Sequence, residues 1–251
     1  LREDELQAAL ARDLRDASAY EGLARLYFER SLDQRSYAIL ARQVIAQGLE
    51  VLARDGRTSA DLLATRGLIT LSEGRVDRAL EDLAAAVAID PAHPRALAAL
   101  GAAALTLRDF SRAQAAFAAI VATPAGAHDF AAWFHLGASE QGLEHFDAAE
   151  RAYRRAAEVA PADPRPHYAL AQLFTRRAAR SDTERDEEAT HASFRRARDL
   201  AGDDPRFAEL RALAEEGIAG RRFLVCHYPV GTFYGTEAEY EVWKRGLDGN
   251  C

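Results

Sequence analysis

The sequence predicts an all-α chain of antiparallel helix pairs stacked one after another, followed by a short aromatic C-terminal extension. Three observations carry that expectation. The stretch from Phe130 to Pro161 divides into two amphipathic helices around a break at Gly142-Leu143-Glu144, and its pattern recurs before and after it at an offset of about 34 residues. Glycines fall in the middle of otherwise strong helix formers, each matched by alanine at a fixed distance downstream. Strand-like chemistry is absent until the last 31 residues or so.

Composition supports helices. Apolar residues make up 49% of the 251, and alanine dominates that fraction, which favours closely approaching helices over strands. The 32 basic and 39 acidic residues leave a formal charge of −7, which argues against a general polyanion binder. Lys244 is the single lysine, a bias expected of a GC-rich bacterial genome. Cys226 and Cys251 form no CxxC pair, so a thiolate zinc site is not expected. No apolar run approaches the roughly 20 residues that span a bilayer. The expected location is the cytoplasm, or the periplasm if a leader was removed before Leu1.

In chain order, residues 3–15 carry Leu6, Ala9 and Leu14 at the spacing of a second helix, as if a first helix were missing. This is either a longer array cut at its start or a capping helix. Tyr20, Leu23, Ala24 and Tyr27 then fill first-helix positions, and a polar insertion near Ser31–Tyr37 follows. Leu63, Arg66, Gly67, Ala79, Leu83, Ala86 and Pro91 make the next unit. Leu97, Leu100, Gly101, Ala113 and Phe117, with Pro124, make the one after. Trp133, Leu136, Gly137, Ala149, Tyr153, Ala156 and Pro161 repeat the pattern in the same slots, with Trp133 expected to lie buried between helices. His167, Leu170, Ala171 and Phe174 begin another unit, which resumes at Phe194 and Ala197 after a charged insertion near Arg176–Thr190. Both insertions are expected to project into solvent. A last helix over Pro205–Ile218, stopped by Gly217 and Gly220, is expected to solvate the end of the array.

The glycine slots have a physical reading. A mid-helix glycine costs about 1 kcal/mol against alanine, a cost that makes sense where a second helix comes very close. Ala79, Ala113 and Ala149 are the small partners expected on the facing helix, and Leu83, Phe117 and Tyr153 the bulky residues that fill the space between. Asp90-Pro91, His93-Pro94, Asp163-Pro164 and Asp204-Pro205 mark the turns.

These recurring small, aromatic and proline slots resemble the tetratricopeptide repeat family over roughly residues 1–218. The resemblance implies a right-handed α-α superhelix, a tetratricopeptide repeat solenoid of about five helix pairs, with residues 219–251 as an extension. It also implies a non-catalytic protein-interaction scaffold or adaptor. In the family, first helices line a concave groove that holds a peptide or helix of a partner. Carried over slot by slot, the groove positions are Ser18, Glu21, Arg25 and Phe28; Asp61, Ala64, Leu68 and Leu71; Arg95, Ala98, Ala102 and Leu105; Ala131, Phe134, Ala138 and Gln141; and Arg165, Tyr168, Gln172 and Arg176. Glu21 and Arg25 stand where a carboxylate-clamping subfamily has lysine and asparagine, a departure that tells against a chaperone-tail ligand. The groove is alanine-lined in the middle and aromatic and basic later, which suggests an apolar or amphipathic segment with an acidic group near Arg165, Tyr168 and Arg176.

The extension is rich in β-branched and aromatic residues with turn formers. Phe223, Tyr228, Phe233, Tyr234 and Trp243 are its candidate contacts: they cap the last unit, lie in the groove or meet another chain. Thr236–Arg245 reads as a short helix.

Catalytic chemistry has little support. No phosphate loop, Rossmann glycine set, HExxH or nucleophile elbow appears. His128, His135 and His145 fall on different faces or different helices, so no metal site is expected. Cys226 and His227, adjacent in an extended segment, point to opposite faces. No cofactor is expected. The later arginines are interleaved with acidic residues and lack a stacking set, so nucleic acid is not the expected partner. Two other readings remain in play: a regulatory or substrate-presenting arm of a larger enzyme, and a periplasmic assembly factor.

Overall fold

A computed structural model describes residues 2–181 and 184–219, apart from the side chains at 180, 181, 184 and 185, together with the backbone of 223–228 and 231–236. The helices are α1 (Glu3–Arg12), α2 (Ala17–Ser31), α3 (Ser36–Arg54), α4 (Ala60–Ser72), α5 (Val76–Ile89), α6 (Pro94–Thr106), α7 (Phe110–Val121), α8 (Phe130–Gly142), α9 (Phe146–Val159), α10 (Arg165–Ser181), α11 (Glu184–Ala201) and α12 (Ala208–Ile218). Single 3-10 turns at Gly126–His128 and Pro205–Phe207 precede α8 and α12. The chain forms two compact units, Leu1–His145 and Phe146–Cys251.

Within Leu1–His145 the helices make two layers. The first helices touch in series, α2 on α4, α4 on α6 and α6 on α8, while α3, α5 and α7 each bridge two of them. The sequence imposes this arrangement through size. A Cβ added to Gly67 would lie 2.7 Å from Leu83 Cγ and 3.3 Å from the Ala79 carbonyl oxygen; one added to Gly101 would lie 2.6 Å from Phe117 Cε2. Ala79, Ala86, Ala113, Leu83 and Phe117 are all buried, as their slots predicted.

Several helix starts are capped by side chains that accept a backbone N–H. Asp16, Ser59, Asp109 and Asp129 do so in the usual way, each contributing about 1 kcal/mol. At α6 the cap is His93, whose Nδ1 accepts from Ala96 N at 3.1 Å ahead of Pro94.

Helix ends repeat a single device. Gly74, Arg108 and Glu144 follow α4, α6 and α8 with φ of 77°, 57° and 64°. The N–H of the next residue returns to a carbonyl in the last turn (Arg75 to Thr70, Asp109 to Ala104, His145 to Glu140), which is a Schellman closure. Only Gly74 suits that backbone freely. Arg108→Gly should therefore raise stability by about 0.5–1 kcal/mol, less whatever the guanidinium gains over the Phe110 ring. Gly74→Arg should lower it by a similar amount. Urea unfolding midpoints of the two variants check the pair of signs.

Four expectations need correction. Leu14 is 67% exposed, because α1 ends at Arg12 and leaves it in the connecting loop; Leu6 alone on that helix is buried, against Gly22. Trp133 is half-buried rather than sealed between helices, and its indole N–H donates to the Ala127 carbonyl of the Gly126–His128 turn at 3.1 Å. Gly217 does not stop the last helix. It is buried inside α12, where a Cβ would strike the Phe194 ring at 2.6 Å; Gly220 lies outside the described residues.

The fourth correction concerns the second insertion. It lengthens α10 and α11, but it does not simply face solvent. Asp186 is only 4% exposed and accepts from Arg177 Nε and Nη2 at 2.9 and 2.6 Å. Arg177 also reaches Glu150 at 2.9 Å and Asp147 at 3.3 Å, and stacks over Phe174. The four charges tie α9, α10 and α11 together within Phe146–Cys251.

The core of that second unit is small and aromatic: Ala149, Ala156, Tyr153, Leu170, Ala171, Phe174, Phe194, Ala197 and Ala214. Burial pushes the Tyr153 hydroxyl well above its ordinary titration range. The extension forms two antiparallel strands, β1 (Phe223–Tyr228) and β2 (Gly231–Thr236), with Cys226 opposite Phe233 and Val225 opposite Tyr234. Thr236 ends β2; the rest of the expected helix, and Trp243, lie outside the described residues.

Candidate partner-binding surface

The groove positions divide between the two units. Leu68, Ala98, Ala102, Phe134 and Ala138 lie in Leu1–His145; Arg165, Tyr168, Gln172 and Arg176 lie in Phe146–Cys251. In the first unit, Ala98 and Ala102 are exposed on successive turns of α6, while Leu68 and Ala138 are half-buried. Ala64 is fully buried among Leu63, Ala86 and Ala96, since the neighbouring helices close over it, so a ligand cannot touch it. Phe134 is half-buried in an aromatic set, stacked on Phe130 at 5.8 Å and edge-on to His135, which stacks in turn on Phe117.

In the second unit, Tyr168 lies edge-on to Phe194 at 5.8 Å and belongs to the margin of the core. Arg165 holds Asp163 through Nε and Nη2, at 2.9 and 2.6 Å, and keeps that carboxyl below its usual range against the opposing effect of burial. Gln172 is half-buried and Arg176 exposed.

His167, beside Tyr168, is pushed below its ordinary value by burial first and by the charge of Arg196 second. The folded state thus disfavours the imidazolium, and the unfolded chain takes up the proton first. Stability should fall as pH drops through about 6.5 towards the lower folded value, and level off beneath it. In thermal melts from pH 7.5 to 5, His167→Gln should flatten that slope; an unchanged slope would sink the assignment.

A charged patch joins three helices of the first unit. Arg95 on α6 reaches back over α4, where its Nη1 stands 3.8 Å from Asp61 Oδ1 and its Nη2 3.4 Å from Thr65 Oγ1. Asp61 also lies 3.4 Å from His93 Nε2. Glu21 on α2 accepts from the Ser59 hydroxyl at 2.6 Å. The sequence placed Asp61, Arg95 and Arg25 in groove slots. It did not signal that Arg95 crosses a helix, because nothing local sets that reach.

Among the described residues, no group of three or more His, Cys, Asp and Glu side chains is placed to hold a metal ion, and no helix is long and apolar enough to cross a membrane.

Comparison with known proteins follows the same lines. Two tetratricopeptide repeat models match, one over residues 70–138 and one over 130–163. Among curated proteins, none matches the chain. Among solved structures, MamA (residue 41 to the end) from Desulfovibrio magneticus RS-1 is 22% identical, covering 74% of this chain and 97% of its own at a TM-score of 0.59. YrrB, described as a TPR protein with an unusual peptide-binding site, is 16% identical, covering 86% of this chain and all of its own at a TM-score of 0.69. At such identities the likeness is one of fold. Residues 70–163 are thus tetratricopeptide repeats, and helix pairs of the same kind continue on either side of them.

Proposed function

We propose that this protein is a non-catalytic scaffold that holds a peptide or helix of a protein partner on the face made by its first helices. The observation that carries this reading is the series α2, α4, α6 and α8, which touch one another directly and present Ala98 and Ala102 as exposed small residues between larger flanking groups. Small side chains on adjoining turns leave room for another chain's backbone or apolar side chains to come close, as helix-in-groove and extended-peptide recognition both require. The YrrB description supports a peptide as ligand.

Ala98→Glu with Ala102→Glu tests it cleanly, because both positions are exposed and glutamate is a good helix former. Capture from the source lysate, analysed by mass spectrometry, should lose its specific partners in the double variant while the melting temperature stays put. Retention of the same partners at the same yield would rule this face out as the binding surface.

A further inference from the structure

The connection between α2 and α3 carries apolar surface that the repeat packing does not use. Six large apolar side chains stand exposed among the described residues, and three of them fall within residues 32–40: Leu32 at 71%, Ile39 at 61% and Leu40 at 41%. Single exposed apolar residues are ordinary; a cluster marks a contact surface. This one lies in and just after the first insertion, where the chain departs from its repeat of about 34 residues.

The cluster is held in place from beneath. Tyr37 stacks on Tyr27 at 6.0 Å, and the Arg30 guanidinium, itself paired with Glu3, lies 5.4 Å from the Tyr37 ring centroid. Ala41 and Ile45 of α3 are sealed in the core, so turning α3 to hide Ile39 and Leu40 would pull both of them out.

Asp33 and Arg35 sit between these apolar residues in the sequence. Both are exposed, and neither side chain has an ion-pair or hydrogen-bond partner among the described residues. Their basic neighbours are already engaged, Arg30 with Glu3 and Arg42 with Glu73. A partner carrying one sign of charge would satisfy one of the two and repel the other. A second copy satisfies both, because in a twofold contact a patch meets itself and must contain its own complement.

We propose that residues 32–40 form a self-association surface, in which Leu32, Ile39 and Leu40 of two copies pack together about a twofold axis and Asp33 of each copy pairs with Arg35 of the other. This surface stands apart from Ala98 and Ala102 and does not rest on the scaffold reading. The apolar side chains supply the affinity; the exposed ion pairs, weak by themselves, set the alignment.

The test is sedimentation velocity of the full chain from about 1 to 200 µM. The average mass should rise with concentration towards twice that of one chain. Leu32→Glu with Ile39→Glu should weaken association by about a hundredfold, with the melting temperature of the dilute protein unchanged because both positions are exposed. Arg35→Asp alone sets like charges opposite one another and should weaken it by about tenfold. Adding Asp33→Arg to that variant restores opposite signs and should recover most of the loss. A chain that stays monomeric throughout overturns the proposal, as does a dimer that survives Leu32→Glu with Ile39→Glu or a charge exchange that recovers nothing. If the chain is monomeric and binds phosphatidylglycerol vesicles, and the Leu32→Glu, Ile39→Glu variant does not, the patch faces a lipid surface and the proposal fails.

Discussion

Replacing Phe117 with alanine should destabilise the Leu1–His145 unit by about 3–5 kcal/mol, the range for truncating a buried aromatic side chain. Phe117 is 3% exposed, and its ring fills the space that Gly101 leaves by having no Cβ. The same ring stacks on His135 at 5.2 Å, so its loss also loosens α8 against α7. A second substitution sharpens the test. Alone, Gly101→Ala should be destabilising, because its Cβ would sit 2.6 Å from Phe117 Cε2. In the Phe117→Ala background the clash is gone, and the same change should be stabilising by about 1 kcal/mol through helix propensity. A double-mutant cycle by urea denaturation reads this reversal directly. Additive effects would mean that the two residues do not share one packing site.

Arg177→Met should cost about 2–4 kcal/mol, somewhat under the range for breaking a fully buried ion pair because Arg177 keeps 21% of its side-chain exposure. The guanidinium serves Asp186, Glu150 and Asp147 at once, and Asp186 is nearly sealed from water. Arg177→Met with Asp186→Leu should recover much of that loss, since the deeply buried charge is removed along with its partner. If the double variant is as unstable as the sum of the two single ones, the interaction is not what holds α10 and α11 together. The measurement is denaturation of the full chain, followed by helix content.

These two cases differ in how far the sequence foretold them. The packing of Gly101 against Phe117 was legible, because repetition in register exposes a size rule: a glycine in one helix and a bulky residue in the next can recur together only if they touch. The same logic placed Ala79, Leu83, Tyr153 and Ala156 correctly in the core. The Arg177 network was not legible. A run such as R-S-D-T-E-R-D-E-E reads as solvated when only composition is considered, and the burial of Asp186 follows from longer helices bringing three charged positions of separate elements together. Leu14 and Gly217 failed for a related reason. Spacing assigns a residue to a face, but where a helix stops, or whether another follows, is decided by what packs against it.

The groove shows the same division. The sequence by itself determined that this is an array of helix pairs, which slots are small and which are bulky. Those follow from steric periodicity, and a repeat of about 34 residues states them several times over; the groove positions of each first helix were implied only by the resemblance to the repeat family. Only the tertiary structure decided which of these positions is free to meet a partner. It sealed Ala64, set Phe134 among aromatic neighbours, bound Arg165 to Asp163, left Ala98 and Ala102 open, and drew Arg95 across α4 into reach of Asp61. Long side chains explain the difference. An alanine or a glycine occupies the place its backbone dictates, whereas an arginine spans several ångströms and ends wherever charge, burial and neighbouring helices direct it.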